Sequence, residues 1–214
     1  MIPREQATER WRTHTSAAGL TWGVMLDGAP IVAALARHVP LNDATILEIG
    51  PGYGRLLRAL TSDTIHTYVG LEISPHWTRE LAAQFGHLPN VELVQGAAED
   101  ADTLLAGRQF DVIVSLLTWK HLYPDFSAVA RCCRNLLMGD GRLIFDLPET
   151  GVAWPARPDE PSGKFEQETG TFTRTYSRAE VDMLLCSVGL TVAAFDEIEH
   201  AADKNRLLVV ASRK

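Results

Sequence analysis

Residues 46–54 read Ile-Leu-Glu-Ile-Gly-Pro-Gly-Tyr-Gly, so an apolar run passes directly into three closely spaced glycines. The apolar run is typical of a buried strand, and residues 55–60 continue with a helical pattern. Glycines in such a turn tolerate positive φ and place no Cβ between the backbone and a ligand. The stretch therefore predicts a strand, a ligand-binding turn and a helix.

Short apolar or β-branched runs recur along the chain, separated by segments that are each long enough for one helix. The runs are Ala44–Ile49, Thr67–Glu72, Val91–Gln95, Phe110–Ser115 and Arg142–Asp146. This alternation indicates repeated βαβ units and a parallel sheet. Two further strands, at about Thr191–Ile198 and Arg206–Ser212, predict a hairpin at the end of that sheet, with its turn near 201–205.

Helices are expected at 75–85, 124–138 and 177–188, from proline or serine at their starts and glycine after their ends. The second helix is expected to stop at the glycines of 139–141. Prolines interrupt residues 148–170, which predicts a long irregular excursion after the fifth strand.

An acidic residue follows the glycine turn at a distance that suggests a nucleoside ligand. Glu72 stands 22 residues after Gly50, at the end of the second predicted strand, where a carboxylate can accept both hydroxyls of a ribose. A dinucleotide fingerprint requires Gly-x-Gly-x-x-Gly. Here Gly54 comes one residue early and Arg55 takes the final position. The spacing argues against NAD and FAD.

Bulk composition narrows the classes of function further. The chain has 214 residues, 46% of them apolar, which suits one domain. A net charge of −7 disfavours a nucleic-acid substrate. The three cysteines lack Cys-x-x-Cys spacing, so we expect no disulfide framework and no metal cluster. The start lacks a secretory pattern, and glycines and Pro30 interrupt the apolar residues 15–36, so we expect a cytoplasmic protein without a membrane partner.

The Gly-x-Gly-x-Gly turn after an acid-containing strand resembles motif I of class I S-adenosylmethionine-dependent methyltransferases. Later segments resemble that family's third-strand, fourth-strand, fifth-strand and final helix–strand motifs in the same order; they are 94–100, 110–115, 141–146 and 176–190. The resemblance implies a Rossmann-like, doubly wound α/β/α fold. Its seven-stranded sheet is mostly parallel, with an antiparallel last strand.

The resemblance also implies S-adenosylmethionine as cofactor and assigns residues to it. Glu48, Gly50 and Gly52 would border its methionine part, and Glu72 would hold the ribose. Ser115 would offer a backbone carbonyl near the amino group. The adenine would be lined by Ile73, Ala97, Ala98 and Glu99. Many relatives carry aspartate where this chain has Ala97, so Glu99 or backbone groups would replace that contact.

The sequence says less about the residues that would contact the methyl acceptor. Relatives that act on small molecules often carry a histidine after the fourth strand, and His121 lies there, as a catalytic base or as a structural residue bonded to backbone. Asp146 and Glu149 follow the fifth strand and would face the substrate or solvent. Residues 115–118 read Ser-Leu-Leu-Thr rather than the Asn-Pro-Pro-Tyr type used for base methylation.

We therefore expect methyl transfer to a small molecule, with oxygen preferred over nitrogen as acceptor. A domain at 31–214 would carry the cofactor. Residues 1–30 would form a lid bearing Trp11, His14 and Trp22, and residues 147–175 would form a cap bearing Trp154, Phe165 and Phe172. Two alternatives are a catalytically silent binding subunit of the same fold and, less favoured, a nicotinamide-dependent oxidoreductase.

Overall fold

The structure is a computed structural model that describes residues 4–15, 28–60, 65–148, 163–167, 170–198 and 206–214. The helices are α1 (Arg4–Thr13), α2 (Ala29–Ala36), α3 (Arg55–Ala59), α4 (Pro75–Phe85), α5 (Ala101–Leu104), α6 (Ser127–Leu136) and α7 (Arg178–Ser187), with 3-10 turns at Ala98–Asp100 and Trp119–His121. Within these ranges, every helix is too short or too polar to cross a membrane.

Seven strands form the central sheet in the order β3-β2-β1-β4-β5-β9-β8. They are β1 (Ala44–Ile49), β2 (Ile65–Glu72), β3 (Val91–Gln95), β4 (Phe110–Ser115), β5 (Leu137–Leu147), β8 (Leu190–Ile198) and β9 (Arg206–Arg213). Strand β9 lies between β5 and β8 and is antiparallel to both, whereas the pairs from β3 to β5 are parallel. The predicted fold class, with its antiparallel last strand, is confirmed.

The strand order reverses beside β1, because the chain moves from β1 outward to β3 and then returns to place β4 on the other side. The loops after β1 and β4 leave the sheet in opposite directions at such a point, which opens a crevice at the carboxyl ends of the strands. The glycine turn after β1 lies at this crevice.

Both faces of the sheet are buried. On β1, Leu47 and Ile49 belong to the apolar cluster on one face, while Ile46 belongs to the cluster on the other. Alternate residues of a strand point to opposite faces, so a strand covered on both sides requires apolar residues in nearly every position. This explains why the strands read as continuous apolar runs in the sequence.

Several predicted bounds were wrong: the fifth strand begins at Leu137 rather than Arg142, and the helix predicted from 124 begins at Ser127. Helix α6 ends at Leu136 rather than near 138, because Leu137 already pairs with Phe110 as the first residue of β5. The predicted irregular excursion contains part of a small antiparallel sheet, in which β6 (Gly163–Glu166) pairs with β7 (Thr171–Arg174). The predicted turn at 201–205 lies outside the described residues.

A buried ion pair joins β5 to β9. The Arg206 Nε atom donates to Asp146 Oδ2 at 2.5 Å, and the two side chains are 6% and 0% exposed. The other carboxylate oxygen, Oδ1, accepts a hydrogen bond from the Leu117 backbone N–H at 2.6 Å. Leu117 has a φ of 63°, in the left-handed region. Asp146 therefore holds the loop after β4 in a conformation that leucine rarely adopts.

We predict that Asp146→Ala lowers the free energy of unfolding by about 3–5 kcal/mol, because Arg206 would remain buried without its counter-charge. Urea denaturation measures the change. Asp146→Asn is the matched control, since it keeps an oxygen for the Leu117 N–H, and it should cost less than Asp146→Ala. A change below about 1 kcal/mol for the alanine variant would contradict a structural role for the pair.

Candidate functional site at the carboxyl ends of β1, β2 and β4

The turn after β1 combines tight packing with open space. Gly50 has a φ of 71°, and a Cβ there would lie 2.4 Å from Thr118 Oγ1. Gly52 has a φ of 54°, but a Cβ there would meet nothing within 4 Å. The backbone at Gly50 is therefore closely packed, whereas the backbone at Gly52 borders a cavity large enough for a ligand to approach it.

Glu72, at the end of β2, is hydrogen-bonded to this turn. Its Oε2 atom accepts from the Gly52 N–H at 2.9 Å, and its Oε1 atom accepts from the Ser74 N–H at 2.8 Å. The side chain is only 6% exposed, and burial raises its pKa while the backbone donors oppose that rise. The structure thus brings together the two features on which the nucleoside prediction depends.

A second buried acid, Glu48, lies on β1 beside the turn. Burial raises its pKa to about 7, although the hydroxyl of Tyr68 donates to its Oε2 atom and the cation of Arg55 also favours the charged form. The pKa of Tyr68 itself is raised by burial and by the neighbouring carboxylate. A carboxyl group with a pKa of about 7 is part protonated and part ionised at neutral pH, so a bound ligand can shift Glu48 toward either form.

One cavity contains most of the predicted site. Eight of the ten predicted residues line it, namely Glu48, Gly50, Gly52, Glu72, Ile73, Ala98, Glu99 and His121. The other two, Ala97 and Ser115, are buried away from its lining. The hydroxyl of Ser115 donates to the Ile49 carbonyl at 2.7 Å, so its side chain ties β4 to β1.

Sequence reasoning missed several lining residues, among them Tyr53, Arg55, Trp77, Leu116, Leu117, Thr118 and Leu122. Trp77 lies in the first turn of α4, whose N-cap Ser74 accepts from the Trp77 N–H. Trp77 could have been predicted as a lining residue, because its helix begins shortly after Glu72. The residues after β4 carry no such signal; Leu117 among them is held through its backbone N–H by Asp146, 29 residues later in the sequence.

His121 lines the same cavity. Its Nδ1 atom is 2.7 Å from the Phe172 carbonyl oxygen, so Nδ1 carries the proton and Nε2 keeps its lone pair. The ring lies 4.4 Å from the Trp11 ring, centroid to centroid. Burial, together with the charge of Lys120, holds the His121 pKa well below its usual range. The imidazole is therefore neutral at physiological pH.

Helix α1 covers part of the cavity. Thr8, Trp11 and His14 contribute to the lining, and the Ser74 hydroxyl donates to the His14 carbonyl at 3.2 Å. Trp22, Glu149 and Trp154, which were also considered from the sequence, lie outside the described residues. Asp146 faces neither substrate nor solvent, because it is buried in its pair with Arg206.

Residues 47–145 match a family model described as a methyltransferase domain. Two curated relatives match at 29% and 33% identity: a ubiquinone biosynthesis O-methyltransferase from Xylella fastidiosa and a ribosomal RNA small subunit methyltransferase A from Rhodopseudomonas palustris. The matches cover 51% and 49% of this chain, but only 44% and 38% of those relatives. The chain thus spans less than half of the length of either relative.

Solved structures show the same fold. A 1,6-didemethyltoxoflavin-N1-methyltransferase from Burkholderia thailandensis superposes with a TM-score of 0.74 at 18% identity, covering 100% of this chain and 92% of that one. That protein was solved with S-adenosylhomocysteine bound. Residues 47–145 thus resemble a methyltransferase domain, and the chain shares its fold with that solved methyltransferase.

Proposed function

We propose that this protein transfers a methyl group from S-adenosylmethionine to a small-molecule acceptor, with oxygen as the preferred atom. The observation that carries the proposal is the Glu72 carboxylate, buried at the tip of β2 and hydrogen-bonded to the Gly52 N–H of the glycine turn. The match of residues 47–145 to a methyltransferase domain supports the reaction type.

The residues around the cavity fit the cofactor. Glu72 would accept from ribose hydroxyls, and the open space at Gly52 would leave room for the ligand beside the turn. Glu48 and Gly50 would border the methionine part. Ile73, Ala97, Ala98 and Glu99 would line the adenine and Ser115 would offer its backbone carbonyl, although Ala97 and Ser115 are not among the residues that line the cavity. The bound cofactor supplies an electrophilic methyl group on a sulfonium.

On the acceptor side, His121 is the proposed catalytic base, with its free Nε2 lone pair taking the proton of the acceptor. Positioning and deprotonation are the contributions that the protein makes to an in-line methyl transfer. Residues 1–30, through α1, and residues 147–175, through β6 and β7, would serve as lid and cap that exclude water. The Phe172 carbonyl on β7 already orients His121.

Relatives of more than one substrate class share this domain, since the names above include an O-methyltransferase, an N1-methyltransferase and a ribosomal RNA methyltransferase. We favour a small molecule over nucleic acid because the chain carries a net charge of −7. We favour oxygen because a neutral histidine with a free lone pair is suited to accept a hydroxyl proton.

We predict that Glu72→Ala weakens binding of S-adenosylmethionine by about 1–3 kcal/mol, through loss of charge-assisted hydrogen bonds to the ribose. Isothermal titration calorimetry measures the affinity. Glu92→Ala is the matched control, because Glu92 lies on the adjacent strand β3, exposed and paired with Arg108. Equal affinities for the Glu72 variant and the wild type would show that the carboxylate does not reach the ribose.

We also predict that cofactor affinity depends on pH through Glu48. Its pKa of about 7 means that Glu48 is largely protonated at pH 6 and ionised at pH 8. The ammonium of the cofactor favours the ionised form, so affinity should fall about tenfold from pH 8 to pH 6 on account of this group. Calorimetry of Glu48→Gln at both pH values isolates the effect, because the ligand titrates identically with both proteins. An identical pH dependence in the variant would refute the assignment.

Replacement of His121 separates catalysis from structure. An asparagine amide can keep the hydrogen bond to the Phe172 carbonyl but supplies nothing in place of Nε2. We predict that His121→Asn and His121→Ala both lower turnover by at least about 100-fold, with near-normal cofactor affinity. Turnover is measured by release of S-adenosylhomocysteine. Wild-type turnover in the asparagine variant would assign His121 a structural role.

A further inference from the structure

A buried cation on the cavity wall has no partner among the described residues. Arg55 is the first residue of α3, directly after the glycine turn, and it is only 7% exposed. It lines the cavity, yet its guanidinium forms neither a hydrogen bond nor an ion pair with any residue that the structure describes. An arginine stays charged at physiological pH, so burying it without a partner is costly. The unused donors of Arg55 therefore indicate an anionic ligand.

Close packing fixes the backbone from which the Arg55 side chain extends. Gly54, the preceding residue, has a φ of 80°, and a Cβ there would lie 2.5 Å from the Leu81 side chain of α4. A Cβ on Gly28, at the start of α2, would lie 2.5 Å from the Arg55 carbonyl oxygen. The start of α3 is thus held between α4 and α2, which keeps Arg55 at the cavity wall.

Arg55 is the only lysine or arginine among the described residues that line the cavity. The other ionisable side chains of the lining are mainly acids, namely Glu48, Glu72 and Glu99. A ligand carboxylate in this cavity would be repelled by the acids, so it requires the one permanent positive charge that the lining offers.

The glycine turn offers no alternative donor at its three glycines, because each of their N–H groups already donates within the protein. The pairs are Gly50 to the Leu71 carbonyl at 2.8 Å, Gly52 to Glu72 Oε2 at 2.9 Å and Gly54 to the Pro51 carbonyl at 2.9 Å. Glycine-rich turns bind anions through backbone N–H groups that are not otherwise used. Beside this turn, an anion depends on a side chain instead.

An acid with an unused oxygen lies near Arg55. Glu48 accepts a hydrogen bond from Tyr68 through Oε2, whereas no described residue donates to its Oε1 atom. Arg55 is close enough for its charge to favour the ionised form of Glu48, but the two side chains form no ion pair with each other. The cavity wall thus presents a cation and an acid side by side, both available to a ligand.

From this arrangement we infer that Arg55 binds the α-carboxylate of S-adenosylmethionine while Glu48 faces its α-ammonium. An amino acid carries these two opposite charges on one carbon atom, so it fits neighbouring side chains of opposite sign that are not already paired. The inference rests on the proposed function and names the group of the cofactor that the chain selects.

This role makes Arg55 a specificity-determining residue. Decarboxylated S-adenosylmethionine keeps the sulfonium and the amine but lacks the carboxylate, so its binding would leave the Arg55 guanidinium buried without a partner. A site built around a buried polar group rejects a ligand that leaves this group unpaired. The planar fork of arginine can also donate two parallel hydrogen bonds to a carboxylate, which lysine cannot do.

Calorimetry with two ligands tests the inference on the wild-type protein. The ligands are S-adenosylhomocysteine and its decarboxylated analogue, in which a hydrogen atom replaces the carboxylate. We expect S-adenosylhomocysteine to bind at least about 30-fold more tightly, as for the loss of one charge-assisted contact. Affinities within about threefold of each other would overturn the inference.

Substitution of Arg55 tests whether this residue is the cause. Arg55→Met should weaken binding of S-adenosylhomocysteine at least about tenfold and change that of the decarboxylated analogue by less than about threefold. Retained binding of the analogue also shows that the variant is folded. Arg79→Met is the matched control, because Arg79 is an exposed cation on α4 outside the cavity lining, and both its affinities should stay within about twofold of wild type. Equal losses for both ligands in Arg55→Met would instead assign Arg55 to the fold.

Arg55→Lys separates charge from geometry. It keeps the positive charge without the planar fork, so its affinity for S-adenosylhomocysteine should lie between those of the wild type and Arg55→Met. A lysine variant that binds S-adenosylhomocysteine no better than the methionine variant would refute recognition by charge. This comparison also covers the case in which Arg55→Met does not fold, since the lysine variant should then still prefer S-adenosylhomocysteine over the analogue.

The same measurements distinguish the two levels of failure. Absence of S-adenosylhomocysteine binding to the wild type rejects the proposed function and the inference with it. Binding without preference for the carboxylate, or a preference that survives in Arg55→Met, rejects the inference alone.

Discussion

The site depends on a carboxylate that is almost removed from solvent. Glu72 retains its place at the tip of β2 because two backbone N–H groups, from Gly52 and Ser74, satisfy its oxygens. An unpaired buried carboxylate would be strongly destabilising, so these donors fix the glycine turn and the start of α4 relative to each other. The crevice between β1 and β2 therefore has its shape before any ligand enters, which lowers the conformational cost of binding.

The two halves of the cavity differ in their electrostatics. The side next to β1, β2 and β3 carries the carboxylates of Glu48, Glu72 and Glu99 together with the cation of Arg55. The side next to α1 and the 3-10 turn of His121 has no carboxylate among the described lining residues, which there are Thr8, Trp11, His14, His121 and Leu122.

The sequence predicted those parts of the fold in which the apolar pattern of a segment matches its burial in the structure. Strands such as β1 and β4 are buried on both faces, and their unbroken apolar runs predicted their exact bounds. The four-residue strand β6 is too short to show a period, so the sequence predicts only an irregular segment there. Within the site, the glycine turn and Glu72 were predictable because their spacing along the chain is fixed by one βαβ unit.

Other parts of the site were not predictable because their partners are distant in sequence. Asp146 looked like a candidate for substrate contact, yet it is paired with Arg206, 60 residues later. The same carboxylate sets the left-handed conformation of Leu117, and nothing near Leu117 in the sequence indicates it. The cofactor roles assigned to Ala97 and Ser115 came from the resemblance and stay predictions, and neither residue is among those that line the cavity.

The insertion of β9 between β5 and β8 determines when the sheet can be completed during folding. Until β9 has been synthesised, the edge of β5 has unpaired backbone groups and β8 has no neighbour in the sheet. A nascent chain that has already formed the first five strands would therefore expose an unpaired strand edge, with which other polypeptides could form backbone hydrogen bonds. Because β9 also carries Arg206, the neutralisation of Asp146, whose other oxygen holds Leu117 in the cavity lining, awaits the same late event. The formation of this part of the crevice is thereby coupled to closure of the sheet.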